Sequence, residues 1–167
     1  SVIQLLLSFA KLDIGAFQET LGAEGMALQM RAIASLLMTY CSINPDYDNM
    51  LQDVIEMVGY FAVYNLENQS LIQSGQQPTI LQQLVSLPFN YFCDPRYKWK
   101  LFPTLIVCSH NNATNRAIVE NECSYRELES FIETPNIDDE IPLLKIFLDK
   151  RRQENGDAAK ENPSAQQ

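Results

Sequence analysis

The sequence has little of what most catalytic and metal chemistry requires. It holds one histidine, His110, and four cysteines, Cys41, Cys93, Cys108 and Cys123, with no C-x-x-C pair and no paired spacing. A structural zinc site needs about four convergent nitrogen or sulfur ligands, which this set does not supply. The thiols are expected to be free and mostly buried, as in a reducing compartment. Glycine-rich phosphate loops, a nucleophile elbow and metal-binding helix motifs are all missing. The reading is therefore of a non-enzymatic protein with no cofactor, no metal and no small-molecule substrate. No stretch approaches the roughly 20 uninterrupted apolar residues of a membrane helix, so no membrane insertion is expected. The apolar opening from Ser1 to Leu7 lacks a positive flank and is broken by Gln4, Ser8 and Lys11, unlike a signal core. The chain does not begin with Met and is expected to be a piece of a longer protein.

Basic residues are also scarce. Twelve Lys and Arg stand against 21 Asp and Glu, a net charge of −9, which argues against wholesale wrapping of nucleic acid. Their distribution is uneven. Residues 91–118 hold only Asp94 as an acid but carry Arg96, Lys98, Lys100 and Arg116. One basic island therefore sits in an acidic protein.

What the chain does have is helical periodicity, with strand-like alternation nearly absent. Leu51, Val54, Ile55, Val58 and Ala62 form one apolar stripe, with Phe61 beside it. Leu28, Ile33, Leu36 and Leu37 suggest a second stripe, in the helix before Tyr40. Breaks fall at Asn44-Pro45-Asp46, from Gly75 to Pro78, at Leu87-Pro88 and at Thr134-Pro135-Asn136. Asp94-Pro95 reads as a helix start, with Asp as cap and Pro at the first helical position. Pro103 then falls inside that helix and predicts a kink or a split. From about Asp149 the pattern gives way to Gln, Glu, Asn, Asp and Ala. The division expected is a helical domain over 1–148 and a disordered acidic and polar tail over 149–167.

An internal repeat is the most informative feature. Shifted by 47 residues, Asn65-x-x-Asn68-Gln69 lands on Asn112-x-x-Asn115-Arg116. Leu71-Ile72 lands on Ile118-Val119, Leu81 on Leu128, Leu84 on Phe131 and Val58 on Leu105. A looser unit covers residues 12–40. A period of 40–47 in helical sequence points to armadillo or HEAT-type units, each leaving an apolar face that only a neighbour can cover. The fold class expected is all-α, an armadillo/HEAT-like stacked-helix solenoid.

Two sets of residues stand out as partner-binding candidates. Arg96, Lys98, Trp99 and Lys100, with Tyr97, interleave bases and aromatics in a pattern that suits phosphate contact with stacking, or an aromatic anchor in a protein interface. A snorkelling turn over a buried Trp99 is the other reading. Asn112, Asn115 and Arg116, with Asn65 and Asn68, suit either hydrogen bonding to an extended peptide or capping at helix junctions. His110 reads as a helix-end residue and Asp138-Asp139-Glu140 as a solvated helix start.

Several segments resemble the C-terminal region of the family of S-phase cyclin A-associated proteins in the endoplasmic reticulum. They include Leu21-Gly22-x-Glu24-Gly25, Val58-Gly59-Tyr60-Phe61, Gln73-Ser74-Gly75 and Pro78-Thr79-x-Leu81-Gln82. The most specific block is Leu87-Pro88-Phe89-x-Tyr91-Phe92-x-Asp94-Pro95-Arg96, followed by Leu101-Phe102-Pro103. The resemblance spans about residues 3–133. It implies a non-enzymatic adaptor, cytoplasmic or on the cytosolic face of the endoplasmic reticulum. It further implies protein partners, an association with cyclin A and the cell cycle, and a role in translation-coupled decay of tubulin mRNA. The helical region would dock at the ribosome and its RNA. A generic armadillo-type peptide-binding module of a signalling or transport protein is the alternative.

Overall fold

In the computed structural model, residues 1–161 are described, with side chains placed as far as Ala158. Those residues are all-helical, without a strand. In chain order the helices are α1 (Val2–Leu12), α2 (Ile14–Gly22), α3 (Met26–Ser42), α4 (Asp48–Ala62), α5 (Leu66–Ile72) and α6 (Ile80–Val85). They continue with α7 (Asn90–Cys93), α8 (Pro95–Ser109), α9 (Ala113–Glu122), α10 (Tyr125–Ile132), α11 (Ile137–Glu140) and α12 (Pro142–Glu161). Each proline-marked break falls between these α-helices, the first as a single 3-10 turn over Pro45–Tyr47.

The core is built on α4 and α8. Every residue from Val54 to Val63 is buried, as is every residue from Leu101 to Ser109. Gly59 lets the two helices and α12 approach closely, since a Cβ there would lie 2.7 Å from Thr104 Oγ1 and 2.5 Å from Leu143 Cδ2. The Thr104 hydroxyl donates across to the Ile55 carbonyl at 3.0 Å, satisfying a polar group that burial would otherwise penalise.

The 47-residue repeat is visible atom by atom at two junctions. Tyr64 and Asn111 both take left-handed backbone, φ 53° and 54°. The next residues, Asn65 and Asn112, cap α5 and α9 with nearly the same backbone angles, and each accepts at Oδ1 from the amide three residues on, at 3.0 Å. Asn68 and Asn115 are buried and each donates seven residues back, to the Phe61 and Cys108 carbonyls at 2.9 and 2.8 Å. Ile72 and Val119, Leu81 and Leu128, and Val58 and Leu105 are alike in being wholly buried. Asp13 starts α2 in a related way, accepting from the Ala16 amide at 2.9 Å.

Glutamine amides hook one unit to the next. Gln18 Nε2 of α2 donates to the Tyr60 and Val63 carbonyls at the end of α4, both at 2.9 Å. Gln69 Nε2 of α5 donates to Val107 and His110 at the end of α8, at 2.9 and 3.3 Å, carbonyls 47 residues on from the Tyr60 and Val63 acceptors. Asn115 closes the set by donating to the Gln69 carbonyl at 3.1 Å.

Three expectations need correction. The apolar stripe of α3 is not its core face: Leu28, Ile33 and Leu36 are exposed, whereas Ala27, Met30, Ala34, Met38 and Cys41 are buried. Pro103 does not split α8, which runs unbroken from Pro95 to Ser109. The segment predicted to be disordered from Asp149 begins as helix, since α12 continues to Glu161. Packing nonetheless stops at Leu148, and residues 149–158 are all exposed. Residues 162–167 of that tail lie outside the described residues.

Candidate docking surfaces

The basic island occupies the first turns of α8. Asp94 caps the helix by accepting from the Arg96 amide at 3.0 Å, and Pro95 takes the first helical position, where a missing N–H costs nothing. The Arg96 guanidinium folds back onto the same carboxylate, with Nη2 2.8 Å from Oδ2. That pairing holds the Asp94 carboxyl below its usual range. Lys98 lies 4.8 Å from the centre of the Phe102 ring and has no carboxylate partner among the described residues. Tyr97 stacks on Tyr91, whose hydroxyl donates to Asp48 at 2.6 Å.

Trp99 is not a core residue. It is 37% exposed and lines a small cleft with Lys100, Pro103 and Glu140. Lys100 is paired with Glu56, a carboxylate only 7% exposed that also receives Lys11 at 3.1 Å. Glu56 thus links α1, α4 and α8 through two ammonium groups. Nothing in its sequence position, inside an apolar stripe, marks it for that role.

Asn112, Asn115 and Arg116 lie beyond the other end of α8, roughly 20 Å from Arg96 at 1.5 Å of rise per residue. The structure does not bring the two sets together. The two asparagines are spent on the junction: Asn112 caps α9 and donates to Gln69 Oε1 at 3.2 Å, while Asn115 is fully buried between two backbone carbonyls. The Asn115 amide is therefore closed to a partner's backbone. Arg116 remains half-exposed, ion-paired to Glu120 at 2.7 Å and 4.0 Å from the Tyr125 ring centre. It borders a cleft of about 430 Å³ with His110, Tyr125, Glu129, Phe147 and Arg151. Burial pushes the His110 imidazole below its ordinary pKa, and its ring sits edge-on to Tyr64 and Phe147.

Asp138 pairs with Arg152 at 2.8 Å. Among the described residues no group of three His, Cys, Asp or Glu is placed to hold a metal ion, and no helix is long and apolar enough to cross a membrane.

Asparagine caps and glutamine hooks repeated along the chain define a class of protein, an all-helical module assembled from like units. No protein-family model matches it. Over 126 residues, 75% of its length, the chain is 47% identical to the S phase cyclin A-associated protein in the endoplasmic reticulum of Homo sapiens. It belongs to that family as a segment, spanning 9% of the length of the human protein.

Proposed function

We propose that the chain is a non-enzymatic docking module, an armadillo- or HEAT-type segment of a longer adaptor. The observation that carries this reading is the junction that recurs after 47 residues, with the same asparagine cap and the same buried asparagine. Such a framework orders the backbone of each unit through its neighbour and leaves the outer side chains to partners. The human relative is named for cyclin A association and for the endoplasmic reticulum. The same settings for this chain are part of the proposal: protein partners, cytoplasm, and the cytosolic face of that membrane.

Within this reading the docking end is the start of α8, where Arg96 and Trp99 are exposed and Lys98 has no carboxylate partner among the described residues. A cation next to an exposed indole suits phosphate contact and base stacking, the chemistry of ribosomal RNA. This would place the module at the ribosome in translation-coupled decay of tubulin mRNA, as the family resemblance implies. The peptide-binding alternative loses Asn68 and Asn115, whose buried amides donate to the chain's own carbonyls.

Ribosome co-sedimentation tests the proposal. Arg96→Glu with Lys98→Glu should abolish pelleting, and the wild-type signal should fall steeply as salt rises. Lys100 is left in place because a carboxylate there would face Glu56. Ribonuclease treatment separates RNA contact from protein contact. Unchanged pelleting of the folded double variant would move docking away from α8.

A further inference from the structure

We propose that the outer face of α3 is a seam for a second copy of this chain, joined antiparallel to the same face of its partner. Ile33 and Leu36, expected in the core and found outside it, are the centre of this face. Met26, Gln29, Ile33, Leu36, Tyr40 and Ile43 are all exposed, the five apolar ones between 43% and 74%. Their spacing is 3, 4, 3, 4, 3, the strict alternation by which one helix packs along another at a shallow angle. The helix already has a separate core face, Ala27, Met30, Ala34, Met38 and Cys41. A solvated face does not need a second apolar stripe. Beside the seam a cleft of about 490 Å³ along Leu28, Leu36, Thr39 and Pro78 leaves room for side chains from a facing helix.

Charge favours a copy as the occupant. In a protein of net charge −9 a second copy is repelled almost everywhere. From Met26 to Ile43 there is no acid, and the one cation, Arg31, turns aside to donate to Ser74 Oγ at 2.9 Å. A twofold contact sets the same strip of both copies face to face, so any charge of one sign on it would meet more of the same sign, and a charge-free strip avoids that repulsion.

Register points the same way. The stripe is symmetric about a point between Ala34 and Ser35. Antiparallel pairing about that point sets Ile33 against Leu36, Met26 against Ile43, and Gln29 against Tyr40. Each of the four aliphatic side chains meets another, and the one amide meets the one phenol. The exposed stripe offers on the order of 500 Å² per copy, below the roughly 800 Å² per partner of a standard interface. The dimer is therefore weak and concentration-dependent, with a dissociation constant on the order of micromolar.

Sedimentation equilibrium of the chain across a concentration series tests this. A reversible monomer–dimer equilibrium is expected, strengthened by salt because Glu24 and Asp46 flank the seam. That sign is opposite to the one expected for ribosome binding, so the two proposals fail separately. Leu36→Glu should raise the dissociation constant about tenfold or more while the circular-dichroism spectrum and melting temperature of the monomer stay unchanged. Tyr40→Glu should weaken the dimer likewise, and adding Gln29→Lys should restore it at low salt. The two positions are 11 residues apart and cannot pair within one helix, so restoration reports the register. A chain that stays monomeric at every concentration, or a dimer indifferent to Leu36→Glu, would overturn the proposal and leave the seam to a different protein's helix.

Discussion

His110 shows how much one residue's setting departs from its composition. The single histidine invites a chemical role, yet its ring is held between Tyr64 and Phe147, and its carbonyl accepts from Gln69. Burial lowers its pKa from the ordinary 6.5. An unfolded chain takes up that proton first, so the stabilising contribution is complete above about pH 6.5 and is lost as pH falls from there to the folded value. Urea midpoints measured between pH 8 and 5 should drop through this window, and His110→Phe should flatten the drop. A separate loss belongs to Asp94 and Asp138, whose carboxyls are held below 3.8 by Arg96 and Arg152. Their contribution is present above 3.8 and disappears only below it. A midpoint insensitive to pH between 7 and 5 would contradict the assignment to His110. At this scale the asparagines were legible as a spacing but not as a role: four polar side chains at helix junctions fit a peptide ladder and a set of caps equally well. Burial decides for Asn68 and Asn115, and the cap bonds to the amides three residues on decide for Asn65 and Asn112.

Helix by helix, the sequence reads well where apolar content and packing agree. The stripe of α4 is buried as its periodicity predicts, and so are three of the pairs of the repeat, Val58 with Leu105, Ile72 with Val119 and Leu81 with Leu128. It reads poorly in α3, because hydropathy ranks Leu and Ile above Ala and Met. The face that packs is the one with small or flexible side chains, which let helices approach closely. The end of α12 misleads for a related reason. Gln, Glu, Lys and Ala give no amphipathic pattern, yet they are good helix formers, and the strand of turns they make needs no core contact to be helical. The close approach at Gly59 belongs to the same scale. Gly59→Ala would drive a methyl against Thr104 and Leu143, and the Thr104 hydroxyl could not keep its bond to Ile55 without movement of α8. We expect a loss of about 1–3 kcal/mol in denaturant unfolding despite the better helix propensity of alanine. A neutral or stabilising result would show that α12 yields at Leu143 without cost.

For the whole molecule, the distribution of burial sets where stability lies. The paired α4 and α8 segments carry the core, and the glutamine hooks tie the first helix of each unit to the end of a long helix. Glu56 adds a charged link among α1, α4 and α8 that holds even where the surrounding surface is acidic. Salt should therefore act differently on different parts of the molecule: it relieves general repulsion among 21 acids while leaving this half-buried link largely unscreened.

Pro103 is the third residue of the buried run that begins at Leu101, one turn beyond the exposed Trp99, so the helix passes from exposed to buried between it and its bonding position four residues back. Having no N–H, it cannot bond to the Trp99 carbonyl, so the helix has one fewer bond there. Amide hydrogen exchange should then divide a helix that looks continuous. Amides from Leu105 to Ser109, together with those from Val54 to Ala62, should exchange only on global unfolding, and those of the first turns of α8 by local opening. Uniform protection along α8 would exclude this. The basic end could then loosen and refit itself around a partner while the core beneath it stays closed.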